Sequence, residues 1–281
     1  MVHSDSLQRE QRREVIQREL EWHDQEGHKR RPLDRILYAP PAFDDVVQAG
    51  LDFLAGQADD WVLDIGGGEG KQTLTLAENG YRVISLDLSQ AQLAEARERL
   101  EQSHPGLKVF FVQANAEELP FKAGCLPAVY GKAVIHHLDM DIMARELHRV
   151  LPDRGRATFA EPLAYHPLIW LGRVLTPRLR TQDERPMART ELVAFARHFA
   201  FWQSQQVYLL APLAYLLRVL PGGETLFRVS HRLLRGVDSW LVRLPGLRDL
   251  AWYGLVHVEK GSEEKRLHRE HRGEDTEIHR G

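Results

Sequence analysis

The chain has 281 residues, a formal net charge of −3, and 43% hydrophobic and 27% charged residues. These are ordinary globular proportions, with length for one enlarged domain or a domain plus a subdomain, and they argue against a polyanionic partner such as nucleic acid. The single cysteine, Cys125, excludes an internal disulfide and any multi-thiolate metal site; no metal is expected, and a reducing, cytoplasmic setting is.

The N-terminus leads into charged residues without an apolar segment of signal-peptide type. Over Leu7 to Arg31 a sparse apolar set (Val15, Ile16, Leu20, Trp22) recurs at roughly helical spacing among Glu, Gln and Arg. This predicts a helical N-terminal segment, residues 1–42, docked by a narrow stripe, with a gating lid as the alternative. Pro32, Pro40 and Pro41 punctuate a connector, and Ala42 to Leu54 resumes a helical pattern.

From Trp61 strands and helices alternate. Trp61 to Ile65, Tyr81 to Leu86, Lys108 to Val112, Ala128 to Ile135 and Arg156 to Ala160 read as strands. Between them lie a helix from Lys71 to Glu78, one capped by Ser89 with Leu93, Ala96 and Leu100 on a face, and one from Asp141 to Val150. Such alternation implies a parallel sheet with helices on both faces and a ligand site outside the strands' carboxyl ends. Asp64, Asp87, Asn115, His136, His137 and Glu161 all fall at or just past those ends.

After Pro162 the pattern changes to longer apolar helices. Residues 163–201 are expected to form a helical insertion, and 202–259 the last strands, Trp202 to Leu209 and Trp252 to Val258, with a further helical insertion. Trp170, Trp202 and Trp240 suggest an enclosed apolar pocket. The stretch Glu161 to Met187, dense in Arg and acids, reads as an internally salt-bridged loop or as a lid whose Arg180 or Arg185 meets an anionic group. Val207 to Leu220 is too short for a membrane span. Arg228, Arg232 and Arg235 punctuate apolar residues through Leu241, a basic amphipathic pattern compatible with peripheral membrane contact, although packing on the sheet is the commoner outcome. Residues 260–281 are almost all charged or small and are expected to be disordered.

Val62-Leu63-Asp64-Ile65-Gly66-Gly67-Gly68-Glu69-Gly70 is a strand delivering a glycine loop to a helix start, suited to close backbone approach and to polar ligand atoms. A dinucleotide fingerprint would place its last glycine at Lys71. Here the glycines run G-x-G-x-G at 66, 68 and 70, behind an acid at Asp64.

In this arrangement the chain resembles the class I S-adenosylmethionine-dependent methyltransferases, of the small-molecule type that includes the menaquinone and ubiquinone group, from about Phe43 to Pro162. Three further stretches carry the resemblance: Val83 to Ser89, Gln113 to Phe121, and Ala133 to Leu138 with Glu146 to Pro152. It implies a Rossmann-like α/β fold with a seven-stranded, mostly parallel sheet. Asp87 would hold both ribose hydroxyls, with Leu88 beside it. Asn115, Ala116 and Glu117 would lie on the loop bracketing adenine, Gly66, Gly68 and Gly70 against the methionine part, and Asp64 would orient the loop or the donor's ammonium. Pro127 replaces an acid common early in the family's fourth strand, and Pro152-Asp153-Arg154-Gly155 replaces its Pro-Gly-Gly turn.

The implied activity is methyl transfer to oxygen or carbon of a small, apolar or amphipathic metabolite. His136, His137 and His166 are the candidate general bases. The alternatives are a module that binds the donor or its product without turnover, and a protein methyltransferase.

Overall fold

The computed structural model describes residues 2–25, 44–56, 61–175 and 187–261. The proline connector, the Arg180 and Arg185 segment and the charged tail from residue 262 lie outside them. Seven strands form one sheet: β1 Trp61–Ile65, β2 Arg82–Asp87, β3 Val109–Gln113, β4 Ala128–Lys132, β5 Arg156–Pro162, β6 Phe201–Val207 and β7 Tyr253–Glu259. Their order is β3-β2-β1-β4-β5-β7-β6. The first five are parallel, while β7 is antiparallel to β5 and β6. Strand β6 therefore runs in the same sense as β5. The chain runs outward from β1 to β2 and β3, then crosses back to β4 on the other side of β1, and this reversal opens a crevice at the carboxyl ends of β1 and β4.

The helices are α1 Val2–Gln25, α2 Asp44–Leu54, α3 Lys71–Glu78, α4 Gln90–Ser103, α5 Met140–Val150, α6 Pro167–Leu175, α7 Arg189–Ala196 and α8 Glu224–Leu241. Alternation along β1 divides the core between the two faces of the sheet. Leu63 and Ile65 pack with Leu147 of α5, Phe195 of α7 and Phe159 of β5. Val62 packs with Leu54 of α2, Leu76 of α3 and Val83 of β2. These aliphatic side chains are almost wholly withdrawn from water, each contributing about 1.5–3 kcal/mol to the frame that fixes the strand ends.

Three sequence expectations are corrected. Strand β4 stops at Lys132 rather than Ile135, because Ala133 turns to φ 55° and sends its N–H to Ala160 O at 2.8 Å; residues Ile135–His137 then form a single 3-10 turn. Strand β6 ends at Val207 rather than Leu209, since Tyr208 takes φ 67°. Trp170 and Trp240 enclose no pocket: they are 61% and 71% exposed.

Candidate active site

The glycine loop is shaped by its backbone. Gly66, Gly68 and Gly70 have φ of 70°, 50° and 76°, a region that L side chains avoid. A Cβ on Gly66 would stand 2.8 Å from Val134 Cγ2, so the loop is packed against the turn after β4. Gly67 was not singled out in the sequence, yet a Cβ there would collide with Ser85 Oγ. The N–H groups of Gly66 and Gly67 both reach Leu86 O, at 2.8 and 3.1 Å, fastening the loop to β2.

Asp64, 1% exposed, lies beneath this loop. Its Oδ2 accepts from Thr73 Oγ1 at 2.6 Å, and Thr73 Oγ1 lies 3.0 Å from Ser85 Oγ. Burial pushes the Asp64 carboxyl up to about 7, against the lowering hydrogen bond from Thr73 and with a smaller upward push from Asp87. Asp64 thus ties the loop to α3 and is poised to change charge near neutral pH.

Asp87 ends β2 with a carboxylate that accepts from Gly68 N and Ser89 N, both at 2.9 Å. Two N–H contacts leave an ionised carboxylate with acceptor capacity remaining. Leu88 O takes Gln113 Nε2 at 3.1 Å, linking the β2 and β3 ends. Asn115 Oδ1 accepts from Glu117 N at 3.0 Å, so this amide also shapes its own loop. Ala116 is buried. Glu117, assigned by resemblance to the adenine loop, uses its carboxylate within the protein: Oε2 accepts Arg12 Nε at 3.0 Å, and Oε1 accepts Arg12 Nη2 and the Asp139 N–H.

His136 is held by a buried acid. Glu161, with no exposed surface, faces His136 Nδ1 at 2.6 Å through Oε2. Its Oε1 accepts the N–H groups of Val134 and Ile135 at 2.9 and 2.8 Å. His137 stacks obliquely on His136, with ring centroids 4.2 Å apart, and its Nδ1 lies 3.1 Å from Glu19 Oε2. His166 leaves the set of candidate bases. Its Nε2–H donates to Leu209 O at 3.0 Å, its Nδ1 accepts from Leu168 N at 3.2 Å, and burial lowers its pKa. Both ring nitrogens are committed to backbone, which gives the side chain a structural role.

Lys132 was not singled out as a site residue in the sequence. It is the last residue of β4, at the crevice, with Nζ 5.9 Å from the Tyr253 ring centroid. Burial, followed by repulsion from Lys71, lowers its ammonium to about 8, with Asp44 opposing.

Helix α1 reaches over these loops through polar side chains rather than through its apolar stripe alone. Arg12 binds Glu117 and donates from Nη2 to His137 O at 2.9 Å. His23 Nδ1 lies 3.1 Å from Gln92 Nε2, and Asp24 accepts from Ser89 Oγ. Glu19, one turn before His23 and only 6% exposed, meets both His23 and His137. Among the described residues, Glu19, His23 and His137 form the one group that brings three metal-competent atoms within 4.8 Å of one another.

Residues 63–159 match the family described as a methyltransferase domain. The chain is 38% identical over 109 residues to the biotin biosynthesis bifunctional protein BioHC of Cellvibrio japonicus, covering 38% of this chain and 21% of that protein. It is 33% identical over 104 residues to the ubiquinone/menaquinone biosynthesis C-methyltransferase UbiE of Agrobacterium fabrum, covering 36% of this chain and 40% of that protein. The chain thus spans between a fifth and two fifths of these relatives. Geranyl diphosphate C-methyltransferase of Streptomyces coelicolor superposes with a TM-score of 0.56 at 20% identity, over 78% of this chain and 79% of that one, a likeness of fold. The match over residues 63–159 marks that stretch as similar to a methyltransferase domain, and the sheet that carries it superposes on the fold of a methyltransferase.

Proposed function

We propose that the protein binds S-adenosylmethionine in the β1–β4 crevice and transfers its methyl group to oxygen or carbon of a small, hydrophobic or amphipathic metabolite. The observation that carries this reading is the buried Glu161–His136 pair in the turn after β4, a turn whose Val134 packs against Gly66 of the glycine loop. The residues present fit the donor. The loop has no Cβ where backbone must come close, Asp87 retains acceptor capacity for a diol, and Asp64 would be driven to its anionic form by a nearby ammonium.

When bound, the sulfonium supplies an already activated methyl group, so alignment and exclusion of water are the protein's main tasks. With Nδ1–H donating to Glu161, His136 Nε2 carries the lone pair that takes the acceptor's proton. As the acceptor takes the methyl group in place of the proton, that proton would rest on His136 and pass from it to solvent. Glu161 stabilises the imidazolium in the interval. His137, facing Glu19, is the second candidate for this role.

Calorimetry with S-adenosylmethionine, S-adenosylhomocysteine and NAD tests the cofactor, with binding of the first two and not the third expected. Product masses after incubation of a cell extract with isotopically labelled donor then identify the acceptor. Donor binding without any labelled product would favour a non-catalytic binding module instead.

A further inference from the structure

We infer that the outer face of α8, together with the 3-10 segment Ala211–Val219 packed beside it, docks the protein on a bilayer surface carrying anionic lipid. The inference is independent of the methyl-transfer reading. Along α8, Leu226, Val229, Leu233, Val237 and Trp240 recur at intervals of three and four, which places them on one stripe. They are 51%, 54%, 67%, 47% and 71% exposed. The opposite stripe, Phe227, His231 and Asp238, is the buried one. Leu213, Leu216 and Val219 of the adjoining segment are also exposed. A contiguous apolar surface of this kind marks an interaction site rather than ordinary surface composition.

The charges beside the stripe select the partner. Arg228, Arg232, Arg235 and Arg243 all lie exposed on or just after α8; Arg228 pairs with Glu224 at 3.0 Å and Arg235 with Asp45 at 2.6 Å, so Arg232 and Arg243 supply the charge beyond these pairs. The helix has two acids, Glu224 and Asp238. Asp238 is turned inward, accepting the N–H groups of Leu209, Leu210 and Ala211 at 2.9, 2.8 and 2.9 Å. Glu224 is thus the only outward acid on the helix; with Asp45 counted beside it, the four arginines still leave an excess of two positive charges although the chain carries −3. Apolar residues with a Trp, flanked by arginines, suit a helix lying in the headgroup region. A second copy suits it less, because a two-fold contact would set one arginine stripe against the other. No helix among the described residues is long and apolar enough to cross a membrane. Laid flat, the 18 residues of α8 would cover about 27 Å of surface.

The topology adds a consequence. Because β6 runs with β5, the chain leaves β6 at the edge that holds the glycine loop, and Asp238 pins α8 to residues 209–211 there. A docked α8 would therefore bring the crevice edge toward the lipid, where an amphipathic acceptor resides.

Sedimentation of the full-length protein with phosphatidylcholine vesicles, with and without phosphatidylglycerol, tests this. Binding to the anionic vesicles that weakens with added salt is expected. Leu233→Glu should lower partition on the order of tenfold or more, and Arg232→Gln about fivefold. Both side chains are exposed, so circular dichroism melts should match the parent. Failure to sediment with anionic vesicles, or undiminished sedimentation of Leu233→Glu and Trp240→Glu, would overturn the inference. So would light scattering that shows a dimer, dissociated by Leu233→Glu and indifferent to vesicles, since that assigns the face to a second copy.

Discussion

Glu161 Oε2 stands 2.6 Å from His136 Nδ1, and the other oxygen of the same carboxylate holds the N–H groups of Val134 and Ile135. One buried acid thus orients an imidazole and builds the turn that carries it. His136→Ala is expected to lower kcat on the order of 10²–10⁴-fold, with donor affinity by calorimetry unchanged. Glu161→Gln keeps an acceptor for the turn and removes the charge. The apparent pKa of the base in the kcat/KM profile should then fall, a shift that a purely structural acid would not produce. Full activity in both His136→Ala and His137→Ala on the true acceptor would end the general-base proposal.

At Asp87, two N–H contacts already organise the corner where the donor's diol is proposed to sit. Asp87→Ala should weaken donor binding by about 100-fold or more, the scale of losing two hydrogen bonds to a charged acceptor. Asp87→Asn should keep the loop and recover part of that loss. Titration calorimetry on both variants, checked against their thermal melts, would separate a contact from a scaffold, and equal affinity in Asp87→Ala would remove Asp87 from the donor site.

Two buried groups are expected to leave opposite marks on stability. Burial raises Asp64 to about 7, so its contribution is fully present below the ordinary carboxylate range and is lost as pH rises through about 7. Burial lowers His257 to about 4, so its contribution is present above pH 6.5 and is lost as pH falls through about 4. Between roughly pH 4 and 6.5 the two slopes oppose each other. Urea unfolding across pH should show Asp64→Asn gaining on the parent as pH rises from 4 to 7, and His257→Gln gaining as pH falls from 6.5 to 4. Parallel curves for Asp64→Asn and the parent would show that the carboxyl does not titrate in this window. If Asp64 faces the donor's ammonium as proposed, donor binding should also tighten as pH rises through about 7 and the carboxyl becomes anionic.

Helix α1 is fastened to the site by Arg12 on Glu117 and His137 O, and by Glu19 on His137. Arg12→Gln should speed donor dissociation several-fold while changing the melting temperature little, since partly exposed pairs contribute about 1 kcal/mol or less. Trp22 stands edge-on to His23 with centroids 5.0 Å apart, so its fluorescence in stopped flow reports on the helix directly. Identical dissociation rates in parent and variant would show that α1 does not control exit.

The parallel core and the first-motif loop were legible because each depends on local signals: apolar runs ending in an acid, and glycines spaced for positive φ. What the sequence hid depends on distant partners. Arg12 meets Glu117 across 105 positions, and the loss of His166 as a base rests on Leu209 O, 43 positions away. The end of β4 was misplaced because Ala133 adopts a left-handed conformation with no glycine to announce it. The reversed direction of β7 left no trace either, since antiparallel and parallel buried strands share the same apolar pattern. Tertiary contacts also made α1 more than a solvated helix, through polar residues that periodicity counts as surface.

That reversed last strand also decides where the chain departs. Strand β7 ends at Glu259, beside Arg156 at the opening of β5, and Lys260 Nζ donates to His148 O and Leu151 O at 2.6 and 2.7 Å near the C-terminal end of α5. Whatever follows residue 261 therefore sets out from the edge opposite the crevice. A surface tether or reporter joined there would stand clear of the strand ends proposed to hold the donor, whereas the same addition ahead of α1 would load the helix that lies over those loops.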